Sequence, residues 1–279
     1  MVRRVSFLFL VFVLSALAHA TLVVVVPARD GLVIAADSRF TFMGAGCDGA
    51  FKILEPQRLG HTVAFVTGDS IFVAPPAVGT EPCSYLATAP RLLDLGAVVT
   101  AYLDRAGDDP EKMPQAGLAA ACVRSVLRFQ GKYPAALRGY RGRELASVVV
   151  ASYDPARGAA TIRHFAIRID ARTGRAEASR GSEMTLGAGS ARGVWIYGET
   201  EYVNRRVYRG PGRRFLDPAT LSFLDVRGLT GEVTVERAEA VAGNVIRAAS
   251  REAEIDPPPS GIGGQIRVVV VGSGATAGK

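Results

Sequence analysis

The 279 residues carry 33 Lys+Arg against 26 Asp+Glu, a formal net charge of +7, with 48% hydrophobic residues, 31 Gly, 15 Pro and 3 Cys. Such a composition excludes a disordered chain, a collagen-like repeat and a small disulfide scaffold, and the length suffices for one large or two small domains with a real core. The charge is uneven, because the first twenty residues hold two arginines and no acid.

Those twenty, MVRRVSFLFLVFVLSALAHA, read as a secretory signal: Arg3 and Arg4 form the basic start, Val5 to Ala18 the apolar run, and Ala18-His19-Ala20 the A-x-A cleavage site. Cleavage after Ala20 leaves Thr21 first in a chain of 259 residues with a net charge of +5, exported to the periplasm or beyond. The competing reading is an uncleaved membrane anchor, because the apolar run continues to Ala28 and about 20 residues span a bilayer. The β-branched stretch Leu22 to Val26 favours cleavage, since it suits a buried strand better than a helix. In an oxidising compartment Cys47, Cys83 and Cys122 allow one disulfide, Cys47–Cys83 being one pairing, with a thiol left over. Cys122, within the apolar helical stretch Ala119 to Leu127, reads as core, and the three spacings match no metal motif.

Along the mature chain, TLVVVVPA and GLVIAAD are two strands joined at Asp30-Gly31, a hairpin signal. Further strands are expected at Ala50 to Leu54 and Thr62 to Val66. Two helices follow: Leu92 to Arg105, and a second with a stripe at Ala116, Ala120, Val123 and Leu127, separated by the turn Gly107 to Pro110. Strands resume at Leu145 to Tyr153 and Thr161 to Ile169, with shorter ones at Arg175 to Ser179 and Met184 to Leu186. A helix is expected over Val194 to Arg209, and another after an N-cap at Thr234, stopped by Asp256-Pro257-Pro258-Pro259. Ile266 to Val271 is the last strand. This order suits a single α+β domain over 21–272, two stacked antiparallel sheets each covered by helices in a four-layer αββα sandwich, with 273–279 a flexible tail.

A threonine exposed by proteolysis carries two reactive groups, a nucleophilic hydroxyl and an α-amine whose ordinary pKa is about 7.7–8.0 and which serves as its base. The cut therefore decides whether the chemistry exists.

The stretch from Thr21 through Asp30-Gly31 to Asp37-Ser38-Arg39 resembles the start of mature proteasome β subunits and their bacterial relatives, in the N-terminal nucleophile hydrolase superfamily. Ala50-Phe51-Lys52-Ile53-Leu54 supplies the lysine, one residue closer than usual. Thr62 to Asp69 is similar to the next family strand and its Gly-Asp turn, and Gly263-Gly264 with Ile266 to Val271 to the closing strand. The resemblance implies that Thr21 is the nucleophile, with its amine as base. It implies that Lys52 favours the alkoxide, that Asp37 holds Lys52 charged, and that Arg39 braces the loop and Asp37. It assigns the oxyanion to the backbone N–H of Phe65, where the family has glycine, with a ring added to the substrate path. The family's supporting serine loop matches Gly187-Ala188-Gly189-Ser190, so Ala188 replaces the serine and Ser190 is the candidate support. Ile262 replaces a second serine, and Asp256 is the candidate acid before the closing strand.

The expected activity is that of an exported threonine peptidase or other amidohydrolase working through an acyl-enzyme ester, with no metal and no cofactor. The altered supporting residues favour as alternative a weakly active or inactive structural or binding protein. Expected partners are a peptide or amide substrate and, by resemblance, further copies of the chain in a homo-oligomer. No aromatic interleaving of the basic segments points to nucleic acid, and a membrane enters only through an uncleaved leader. His61 and His164 accompany no Gly-x-Ser-x-Gly nucleophile.

Overall fold

The structure is a computed structural model that describes residues 21–49, 52–56, 61–106, 115–187, 193–225, 233–257 and 261–272. The leader, Ala50, Phe51, the turn 107–110, Ser190 and the tail 273–279 lie outside them. The opening hairpin is β1 (Leu22–Ala28) and β2 (Gly31–Asp37), whose Ala28–Gly31 pair leaves only Arg29 and Asp30 in the loop. A small hairpin follows, β3 (Phe40–Phe42) and β4 (Ala45–Cys47), then β5 (Ile53–Leu54) and β6 (Thr62–Gly68). Next come β7 (Ile71–Val73), α1 (Pro82–Thr88), β8 (Arg91–Asp94), α2 (Leu95–Ala106) and α3 (Gln115–Lys132). Strands β9 (Glu144–Asp154), β10 (Ala159–Ile169), β11 (Ala176–Ala178), β12 (Ser182–Gly187) and β13 (Trp195–Gly198) precede α4 (Thr200–Tyr202). The chain ends with α5 (Pro218–Asp225), α6 (Val235–Ile255) and β14 (Ile266–Gly272).

The fold is α+β with antiparallel sheets. One sheet runs β13-β1-β2-β14, and the other β11-β10-β9-β6-β5, with β12 also on β10. The unbroken apolar run of β1 is explained by its burial on both faces: Val23 and Val25 join β6, β9 and β10 residues in one cluster, while Leu22, Val24 and Val26 pack with α6 in another. Each such side chain contributes about 1.5–3 kcal/mol when removed from water. A further cluster packs β9 and β10 residues against Leu95, Val99 and Leu103 of α2 and Leu118, Cys122 and Val126 of α3.

Two differences from the sequence expectations have local causes. Leu92 belongs to β8, which pairs with β7, and Asp94 then caps α2 by accepting from the Ala97 N–H at 2.9 Å. The expected helix over Val194 to Arg209 opens instead as β13, because Trp195 to Gly198 supply the ladder partner that the outer edge of β1 requires; helical backbone begins only at Thr200 and continues as a π-helical segment, Val203–Tyr208. Cys47 and Cys83 are disulfide-bonded, joining β4 to α1, while Cys122 is a buried thiol whose pKa burial pushes up to about 12. The Thr234 N-cap stands as read, its side chain accepting from the Arg237 N–H.

Candidate active site

Asp37 ends β2 at 1% exposure. Its Oδ1 accepts from the Leu22 N–H at 2.9 Å and from Lys52 Nζ at 2.6 Å, and its Oδ2 accepts from the Gly263 N–H at 3.1 Å. One carboxylate thus ties the start of β1, the loop before β5 and the turn before β14 together. Burial lowers the Lys52 pKa from its ordinary value, opposed by the charges of Asp37, Asp48 and Glu199. Such a pair is tolerated because its remaining lone pairs are satisfied; stranding one partner costs about 3–5 kcal/mol.

Arg39 is not hydrogen-bonded to Asp37. Its Nε donates to Asp48 Oδ1 at 2.8 Å, and its own N–H donates to the Gly263 carbonyl at 3.1 Å. It braces the loops around Asp48 and Gly263 and reaches Asp37 only through the field of its charge. The pairing holds the Asp48 carboxyl below its ordinary pKa.

Thr21 is buried and shares the inward register of Val23 and Val25. It lines a cavity of about 410 Å³ together with Thr67, Gly68, Glu144, Ser147, His164 and the segment Ile196–Thr200. Two glycines let the backbone close around it. A Cβ at Gly198 would overlap the Thr21 carbonyl oxygen, and one at Gly68, where φ is +82°, would lie 2.7 Å from the Leu145 carbonyl oxygen. Glu199 follows Gly198, and its N–H donates to the Thr21 carbonyl at 3.3 Å.

The far wall is built by strand register. Thr67 of β6 lies opposite Ser147 of β9, and His164 of β10 lies opposite Val149, so three polar residues share the inward face, with His164 diagonal to Ser147 one ladder step along. Ser147 Oγ donates to Glu144 Oε1 at 2.6 Å and lies 3.0 Å from His164 Nε2. The Tyr197 ring packs between Phe65 and His164, with centroids 5.2 and 6.0 Å away. Burial lowers the His164 pKa, against the pull of Glu144.

A second cavity of about 650 Å³ lies on the Lys52 side. Phe40, Leu54, Val66 and the Cys47–Cys83 disulfide supply apolar wall, and Asp48 and Asp94 polar wall.

The oxyanion assignment to Phe65 needs correction. Its ring is fully buried in the cluster between the sheets, and its backbone lies between ladder partners, Ile53 on one side and Val149 on the other. The β6 residues that reach the Thr21 cavity are Thr67 and Gly68. Asp256 also lies elsewhere: it follows α6, where its carboxylate takes Arg206 at 2.8 Å and its carbonyl the Tyr202 hydroxyl. Ser190 lies outside the described residues. Sequence reading missed Ser147, His164, Glu144 and Glu199. The available signal was polar residues on the inward register of otherwise apolar strands, at Thr67, Ser147 and His164.

No protein-family model and no curated protein sequence matches the chain. Solved structures similar to it include Anbu, an ancestral β-subunit, from Yersinia bercovieri, at 13% identity and TM-score 0.46, covering 90% of this chain and 81% of that one. The Anbu complex from Pseudomonas aeruginosa, described as a helical assembly, is similar at 14% identity and TM-score 0.43, covering 90% and 81%. A Gly-1 mutant of Anbu from Hyphomicrobium sp. strain MC1 is similar at 12% identity and TM-score 0.42, covering 91% and 82%. The resemblance to proteasome β subunits is corrected accordingly. No family model matches, and Anbu proteins at 12–14% identity with TM-scores of 0.42–0.46 leave the chain assigned to no family.

Proposed function

We propose that the chain is an exported amidohydrolase whose nucleophile is Thr21, freed by removal of residues 1–20, on a four-layer αββα sandwich. The observation that carries this reading is the junction at Asp37, where the residue next to Thr21 and the buried Lys52 ammonium meet on one carboxylate oxygen. In the proposed reaction the Thr21 hydroxyl gives its proton to the α-amine and its oxygen attacks the amide carbonyl. The Lys52 charge favours the alkoxide, and the Gly68 backbone N–H takes the place of Phe65 as oxyanion donor. The proton passes to the leaving amine as the C–N bond breaks, leaving an acyl ester on Thr21 that water hydrolyses. The 650 Å³ cavity beside Lys52 supports this reading as room for the side chain of the acyl group.

The test is intact mass and N-terminal sequencing of the exported protein, followed by turnover of amide substrates. The expected result is a start at Thr21 and complete loss of turnover and of electrophile labelling in Thr21→Ala. A start one residue away, or a retained leader, removes the amine and ends the reading. The alternative, a sandwich kept as a binding or structural module, is favoured by one observation: Asp256, the candidate supporting acid, is committed to Arg206. It predicts a correct start with no labelling.

A further inference from the structure

We propose that His164, oriented by Ser147 and Glu144, is the base that activates water to hydrolyse the acyl ester on Thr21. The inference rests on the reading of Thr21 as nucleophile and adds a second, separate base to it.

The hydrogen-bond inventory of the far wall fixes the imidazole. An ionised carboxylate only accepts, so the 2.6 Å contact between Ser147 Oγ and Glu144 Oε1 uses the single hydroxyl proton of Ser147. The Ser147 oxygen then accepts from His164, 3.0 Å away, which places the imidazole proton on Nε2. Nδ1 is left with its lone pair and has no hydrogen-bond partner among the described residues. This is the arrangement a general base requires: one nitrogen held by a third group, the other open. It differs from a serine nucleophile triad, in which the imidazole lies between the hydroxyl and the acid; here the serine lies between, so Ser147 and Glu144 position and His164 reacts.

The groups facing the ring are few. Glu144 and Ser147 come from β9, Tyr197 from β13 and Glu199 from the turn after it, and Thr67 and Thr21 complete the wall. On the remaining side, Gln115 of α3 donates to the His164 carbonyl, and the neighbouring Glu183 of β12 is paired with Arg163. Among the described residues no lysine or arginine lines the cavity. Burial favours the neutral ring and the Glu144 charge opposes it; the net shift is downward, toward the free base.

In the step itself, Nδ1 takes a proton from water as the water oxygen bonds to the ester carbonyl carbon. The bond from that carbon to Thr21 Oγ then breaks, the electron pair returns to Oγ, and the imidazolium gives Oγ its proton. Ester and water become threonine and carboxylic acid, with nothing else consumed. The two cavities divide the work: the acyl side chain lies toward Lys52, and water enters beside His164.

The test uses the mature protein, with His164→Gln and Ser147→Ala. Rapid-quench kinetics on an activated amide should leave the acylation burst of H164Q within about threefold of the parent, while steady turnover falls about 100-fold, the usual share of a general base. The acidic limb of the turnover profile should disappear with it. Nitrogen-15 NMR of the imidazole, assigned by its loss in H164Q, should give the Nε2–H tautomer at pH 7, and S147A should mix the tautomers. Turnover of H164Q within threefold of the parent, an Nδ1–H tautomer, or an imidazolium at pH 7 overturns the proposal. Failure of the threonine reading is distinct, because it appears in the parent as absent labelling, whereas the tautomer is read without turnover.

Discussion

The two walls around Thr21 are held by different physics. The near wall, Asp37 with Lys52, is a fully buried ion pair whose carboxylate accepts three hydrogen bonds. The far wall, Ser147 with His164 and Glu144, is a partly exposed network around a neutral ring. A buried charge pair is rigid but intolerant, since removing either partner strands the other. A network around an imidazole is adjustable, and burial lowers the pKa of its ring. In the proposed reaction the first would hold a fixed field on Thr21, and the second would gain and lose a proton each turnover.

The sharpest way to break this comparison is Asp37→Asn. It leaves Lys52 in a buried site without a counter-charge, and the expected loss is about 3–5 kcal/mol in urea unfolding. The double variant D37N/K52M keeps an oxygen for the Leu22 N–H and removes the stranded cation, so it should recover more than half of that loss while remaining inactive. A D37N cost below about 1 kcal/mol would mean that the near wall is solvated like an ordinary surface pair.

A somewhat smaller effect is expected from Cys47→Ala with Cys83→Ala. The bridge spans 36 residues and anchors the loop carrying Asp48, the partner of Arg39. Loss of about 2–4 kcal/mol is expected from the freed unfolded chain. The His164 imidazole resonances should stay in place. A shift there as large as on the near wall would show that the walls are one mechanical unit.

The far wall is sharpened by pH. Because the folded protein lowers the His164 pKa, the unfolded chain binds the proton more readily. The stability from this residue is therefore full above the ordinary histidine pKa of about 6.5 and is lost as the pH falls through and below it. Melting temperatures compared at pH 7.5 and 5.5 should drop further for the parent than for H164Q. An equal drop in both would place the titration elsewhere.

How legible each wall was in the sequence follows from chain distance. Asp37 and Lys52 were paired through the resemblance of their flanking motifs to proteasome β subunits, and their separation of 15 residues, with only the β3–β4 hairpin between, keeps both motifs within one short stretch. Ser147 and His164 are ordinary residue types on two different strands, and they become a pair only once β9 and β10 are in register. Glu199 was hidden for a related reason: the stretch Val194 to Arg209 has a helical pattern by itself, and only the vacant edge of β1 makes Trp195 to Gly198 a strand. Arg39 was placed near the right loops but given the wrong acid, because Asp48 becomes its neighbour through the β3–β4 hairpin, which no periodicity announced.

Phe65 supplies the smallest and most discriminating prediction. The resemblance assigned it the oxyanion, but strand period decides otherwise. Val63, Phe65 and Thr67 alternate on the inward face of β6, and only the last of them reaches beyond the cluster between the sheets to the cavity. Phe65→Leu keeps the backbone N–H and most of the apolar volume, so the expected cost is under about 1.5 kcal/mol, with kcat unchanged within twofold for substrates of any size. If the ring instead stood in the substrate path, the variant would lower KM selectively for bulky substrates. The same variant removes the edge contact on Tyr197, which also touches His164. An unchanged kcat accompanied by a displaced His164 resonance would show that the network tolerates movement of its neighbour, the adjustability that separates the far wall from the near one.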